Sequence, residues 1–119
     1  MTANINTVAE AAAIVAEIDS PALTAMLDCA AAGGNEAEDI PTLLRRHLPS
    51  GLIHHVHFND PNKRGPGEGE LAFAPIVRTL RDLAYDRWIG VEPFIYRPDG
   101  PAAAARAIGY VRGLLEAGR

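Results

Sequence analysis

An α/β fold built on parallel strands is what this sequence of 119 residues predicts, and three observations lead there. Amphipathic helical stripes alternate with short apolar runs, so the order reads α-β-α-β-α-β-α. The alternation continues without internal repeats or linkers, which places the whole of 1–119 in one segment of a single fold. Each short apolar run also ends in a residue able to bind metal or carry a proton, namely Asp28, His57 or Glu92.

The elements follow in order. Thr7-Val-Ala-Glu10 has capping-box spacing, and Ile5, Val8, Ala12 and Val15 recur at helical intervals, which predicts a helix over about 7–18. Ser20-Pro21 interrupts it, and the nearly all-apolar run from Ala22 to Leu27 predicts a buried strand with Asp28 at its tip. Gly33-Gly34 reads as a loosening of the chain before Asp39-Ile-Pro41 opens a second helix carrying Leu43, Leu44 and Leu48. Leu52 to Phe58 is the second strand. A period of two puts Ile53, His55 and His57 on one face and His54, Val56 and Phe58 on the other. Phe73, Ile76, Val77, Leu80 and Leu83 form the stripe of a third helix. Arg87 to Val91 is the third strand, ending in Glu92-Pro93. Asp99-Gly-Pro101 starts a last helix, read with Ala104, Ile108, Val111 and Leu115 inward.

Composition narrows the function classes. The net charge of −4 leaves no basic surplus with which to grip phosphate backbones, which argues against nucleic acid as a partner. Cys29 is the only cysteine, so no internal disulfide forms and a reducing cytoplasm is expected. No apolar run approaches the roughly 20 residues of a membrane span, and no signal peptide is read at the N-terminus.

In a parallel α/β fold all strand C-termini lie at one end, so Asp28, His57 and Glu92 are expected to converge there. Imidazole with carboxylates and no thiolate suits Mn²⁺, Co²⁺, Mg²⁺ or Zn²⁺ rather than a softer ion. His54 and His55 read as packing or supporting groups, with His55 behind His57 on the same face. The connection from Asn59 to Glu70 is long, and Lys63 and Arg64 within it are placed to contact a phosphate or sugar hydroxyls above the strand ends. Gly65-Pro-Gly-Glu-Gly69 matches neither a phosphate-binding P-loop nor a dinucleotide fingerprint.

His-Val-His-Phe-Asn-Asp at 55–60, Gly-Pro-Gly-Glu-Gly-Glu at 65–70, the 73–83 helix, Tyr85-Asp86-Arg-Trp88 and Val91-Glu-Pro93 together resemble the sugar phosphate isomerase/epimerase superfamily, the xylose isomerase-like TIM barrels. The resemblance implies a partial (β/α)8 barrel, strands six to eight with their helices. It also implies that Asp28, His57 and Glu92 bind a divalent metal, and that Glu92 moves a proton next to a carbonyl through a metal-stabilised enediolate. Lys63 stands where ketose epimerases often carry a substrate-binding arginine, and Ala31 where several carry a histidine. The family's other proton-transferring glutamate, at the end of strand five, falls before Met1, and Glu10 and Glu17 do not replace it. The expected function is therefore isomerisation or epimerisation of a sugar or related hydroxy-carbonyl compound, incomplete in this chain alone. The alternative is a non-catalytic binding or assembly module that retains the scaffold. Two open sheet edges favour a homo-oligomer or a complementing N-terminal chain.

Overall fold

The computed structural model describes residues 4–118, so Met1, before which the strand-five glutamate is expected, lies outside the described residues. Thr7 caps the first helix, α1 (Val8–Ile18), in the expected reciprocal box with Glu10. The Glu10 carboxylate accepts from the Thr7 and Asn6 amides, which holds it below its usual range and uses it as a structural cap. Strand β1 is shorter than predicted, Ala25–Asp28.

The next element departs from the sequence reading. Cys29–Asn35 is a helix, α2, that runs through Gly33-Gly34, and the second predicted helix follows it as α3 (Ile40–His47). Two helices thus connect β1 to β2 (Ile53–Phe58). Then come α4 (Phe73–Asp82), β3 (Ile89–Val91) and α5 (Gly100–Ala117). Asp39 and Asp99 cap α3 and α5 through bonds from Thr42 N and Ala102 N, with proline in the first turn of each.

The three strands form one parallel sheet in the order β1-β2-β3. The register pairs Asp28 with His57 and His57 with Gly90 in one row across the sheet. Glu92 lies two residues beyond Gly90 and so shares its face. An irregularity corrects the predicted pattern on β2. Ala25 pairs with Ile53 but Met26 already pairs with His55, so one residue of β2 is extra. The bulge shifts the alternation, and Ile53, 2% exposed, joins Val56 and Phe58 in the core rather than the two histidines.

That core joins Leu27, Ile53, Val56 and Phe58 to Leu43 and Leu44 of α3 and to Phe73, Ile76, Val77 and Leu80 of α4. The predicted α4 stripe is therefore the one buried. Phe58 and Phe73 stack obliquely at 5.1 Å, both fully buried, and truncating either to alanine costs about 3–5 kcal/mol. On α5 the inward residues are Ala103, Ala107, Tyr110, Val111 and Leu114, while Ala104, Ile108 and Leu115 are exposed. The predicted stripe is thus correct at Val111 and otherwise out of phase. The edge-to-face contact of Tyr110 with Phe73 sets the observed phase.

The connection after β2 is braced rather than loose. Asp60, 2% exposed, accepts from Asn62 N and Leu71 N at 3.0 Å each, closing the loop on itself. Glu68 accepts from Gly65 N at 3.2 Å and pairs with Arg106 of α5, so the loop is fastened to the last helix.

Candidate metal centre

Strand direction alone delivers three side chains to one place. Asp28, His57 and Glu92 each offer an atom within 4.8 Å of the others'. His57 Nδ1 stands 2.9 Å from Glu92 Oε2 and 3.6 Å from Asp28 Oδ2. Donor atoms about 2.1 Å from a shared ion and at right angles to each other stand about 3 Å apart, so these separations suit a common divalent cation.

The decisive feature is His57 Nδ1. It is buried and makes no hydrogen bond, although two carboxylate oxygens stand within ion-pair distance of it. A buried ring nitrogen that makes no hydrogen bond and faces two carboxylates has a lone pair available to a shared cation. The donor set therefore fits a metal.

Asp28 has two tasks divided between its oxygens. Oδ1 caps α2 by accepting from Ala31 N at 2.9 Å, while Oδ2 faces His57 and accepts from Asn59 Nδ2 at 3.0 Å. Glu92 follows β3, its side chain 48% exposed, and its backbone amide reaches Phe58 O at 3.4 Å. Cys29 is fully buried in the core, and burial together with the Asp28 charge pushes its thiol well above the usual range.

The remaining predicted residues lie around this centre in different ways. His55 stacks edge-on against His57, ring centroids 4.9 Å apart. The space for both rings comes from Gly90, where a Cβ would sit 3.0 Å from His57 Cδ2 and 3.2 Å from His55 Nε2. His54 sits in a cleft near the start of β2 with Leu48, Leu83 and Tyr85, away from the strand tips. Lys63 is exposed in the left-handed region at φ 72°, and its carbonyl accepts from Phe94 N and Ile95 N at 2.8 and 2.9 Å. Those bonds tie the loop after β2 to the segment after β3. Arg64 Nε lies 3.8 Å from Glu68 Oε1, so its charge is partly engaged within the loop.

One residue of the site escaped the sequence reading. Asn59, fully buried at the end of β2, bonds to Asp28, to Ala30 N at 2.8 Å and to Glu92 O at 3.2 Å. A polar residue following directly on an apolar strand, at the same tip as a candidate ligand, was the available signal.

Comparison with known proteins identifies the scaffold. The profile of the xylose isomerase-like TIM barrel family matches residues 1–114. D-psicose 3-epimerase of Agrobacterium fabrum is 31% identical over 91 residues, which are 76% of this chain and 30% of that protein. The structure of 3-keto-D-glucoside 4-epimerase from E. coli superposes with a TM-score of 0.78 at 27% identity, covering 92% of this chain and 40% of that one. A D-psicose 3-epimerase crystallised in the presence of D-fructose gives a TM-score of 0.79 at 25% identity, over 96% and 45% of the two chains. The chain thus spans less than half the length of these relatives. With a parallel sheet whose strand tips gather Asp28, His57 and Glu92, and with the profile match over nearly its whole length, the chain belongs to the xylose isomerase-like TIM barrel family.

Proposed function

We propose that this chain supplies one wall of the active site of a divalent-metal-dependent epimerase or isomerase acting on a sugar or related hydroxy-carbonyl compound. The observation that carries the reading is His57 Nδ1, buried without a hydrogen bond between two carboxylates, on a scaffold shared with sugar epimerases. Asp28, His57 and Glu92 would hold the ion, with Mn²⁺, Co²⁺, Mg²⁺ and Zn²⁺ all compatible with the donor set. When bound, such an ion supplies Lewis acidity that polarises the substrate's oxygens.

The chain's own groups divide the rest of the work. Glu92, nearly half exposed, takes or returns a proton at the carbon beside the carbonyl. His55 supports the His57 ring from the side, restricting its orientation. Lys63 and Arg64 are assigned to substrate hydroxyls, with the exposed Lys63 the more available because Arg64 already leans on Glu68. Epimerisation needs a second proton carrier on the opposite side of the reacting carbon, and Glu10 is committed to capping α1. The chain spans less than half the length of its relatives, so in this reading the second carboxylate comes from the remainder of such a barrel.

Exposed apolar groups point to where that part attaches. Every large exposed hydrophobic among the described residues lies before Leu27 or after Arg87: Ile5, Ile14, Ile18 and Met26 at one end, and Trp88, Ile89, Val91, Phe94, Tyr96, Ile108 and Leu115 at the other. These are the two flanks a barrel must close, and unpaired strand edges there call for a partner, a second copy or an N-terminal segment.

Ketose turnover with added Mn²⁺, measured with and without a chain carrying the first five strands of a family barrel, tests the reading. Turnover only in the combined sample is expected. Absence of turnover together with absence of metal binding would overturn it.

A further inference from the structure

The amide of Asn59 is fully buried and uses both of its ends. Its Oδ1 accepts from Ala30 N at 2.8 Å, and its Nδ2 donates to Asp28 Oδ2 at 3.0 Å and to Glu92 O at 3.2 Å. The orientation of the amide is fixed by chemistry. Ala30 N can only donate, while a carboxylate oxygen and a backbone carbonyl can only accept, so the reversed amide would leave all three bonds unmade.

The position of these partners gives the bonds a purpose. Asn59 stands at the end of β2, Asp28 at the end of β1 and Glu92 just past β3, so one side chain ties together the tips of all three strands. It also holds the start of α2 through Ala30, beside the Ala31 amide that fixes the other Asp28 oxygen. Asp28 is thereby clamped from both sides, with Oδ2 left facing His57.

We propose that Asn59 is a positioning residue, which locks the Asp28 carboxylate and the Glu92 backbone relative to His57 so that three separate strand ends present one donor set. The proposal rests on the metal-binding reading above. It assigns Asn59 no contact with substrate or with the reacting atoms. Its action passes through Asp28 and Glu92.

The test compares wild type with Asn59→Ala and with Thr79→Val. Thr79 is also buried and also loses a hydrogen bond, from its hydroxyl to Pro75 O at 2.8 Å, but within α4 and remote from the strand tips. Mn²⁺ affinity is measured by titration, and exchange of the Ala30 amide proton is followed in the metal-free protein. Asn59→Ala is expected to weaken Mn²⁺ binding about tenfold to a hundredfold and to speed exchange at Ala30, while Thr79→Val leaves both at the wild-type value. Asn59→Ser, polar but too short to span all three partners, gives the same comparison should the alanine variant fail to fold. Mn²⁺ affinity within about twofold of wild type in the Asn59 variant, or an equal loss in Thr79→Val, overturns the proposal. If wild type binds no Mn²⁺, the metal reading fails by itself. The positioning role is then decided by the metal-free protein, standing if Ala30 exchange accelerates and Asp28 shifts, and falling if neither changes.

Discussion

His57 Nδ1 lies 2.9 Å from Glu92 Oε2, yet the two atoms share no hydrogen bond. A ring nitrogen and a carboxylate that were simply partners would rotate until the N–H met the oxygen, because a buried unpaired polar atom costs about 1–3 kcal/mol. In the metal-binding reading proposed above, an ion would sit between these two side chains, and Asp28 Oδ2, 3.6 Å from the same nitrogen, would be its third donor.

Metal binding should therefore stabilise the protein. At a Mn²⁺ concentration of about 100 times Kd, linkage predicts a gain of about 2.7 kcal/mol, read as a rise in Tm that a chelator reverses. His57→Ala should abolish the rise, whereas His55→Ala, which removes only the edge-on neighbour, should reduce it. An equal loss in both variants would place His55 among the ligands.

Gly90 offers a finer probe of the same centre. An added methyl would press on both imidazole rings, at 3.0 Å from His57 Cδ2 and 3.2 Å from His55 Nε2, without touching the buried core on the other side of the sheet. Gly90→Ala is expected to displace the His57 ring and weaken Mn²⁺ binding about tenfold, with little change in the metal-free Tm. A large fall in that Tm with affinity intact would mean that the glycine serves strand packing and not the histidines.

How much of this could be read from the sequence follows from which features are set by pattern and which by packing. Topology alone sends Asp28, His57 and Glu92 to one end, since parallel strands leave no other choice, and the α4 stripe is legible because Phe73, Ile76, Val77 and Leu80 repeat without ambiguity. The bulge in β2 is invisible to a strict period of two, which puts Ile53 on the face of His55 and His57. Gly33-Gly34 reads as a loop by composition, but both lie within α2, where Pro61 packs 3.1 Å from where a Gly33 Cβ would be and so leaves no room for a side chain. On α5 the run Ala102-Ala-Ala-Ala105 has no marked face, and the contact of Tyr110 with Phe73 chooses the phase. Asn59 is not legible as a site residue, because its role lies in three partners distant in sequence, Asp28, Ala30 and Glu92.

Glu92 separates binding from chemistry. Glu92→Gln keeps the side-chain shape and a coordinating oxygen but removes the proton carrier. In the sample completed by an N-terminal segment, ketose turnover should fall about 10²–10⁴-fold, with Mn²⁺ binding weakened far less. Turnover close to wild type would assign the proton transfer to another group.

Closure of the open flanks can be followed through Trp88. It is 84% exposed immediately before β3, beside Ile89 and Val91, which are more than a third exposed on the outer strand. A partner that pairs with the β3 edge has to cover this indole, and an indole leaving water shifts its emission to shorter wavelength. Titration of a chain carrying the first five strands of a family barrel is expected to produce that shift saturably, with a matching increase in mass by size-exclusion chromatography. In the absence of that chain, a concentration-dependent shift with a doubled mass would show that a second copy covers the same edge. A monomer whose Trp88 emission stays unchanged in both experiments would show that neither occupant pairs with β3, and the source of the second carboxylate would have to be sought along the β1 edge, at Met26 and the exposed Ile14 and Ile18 of α1.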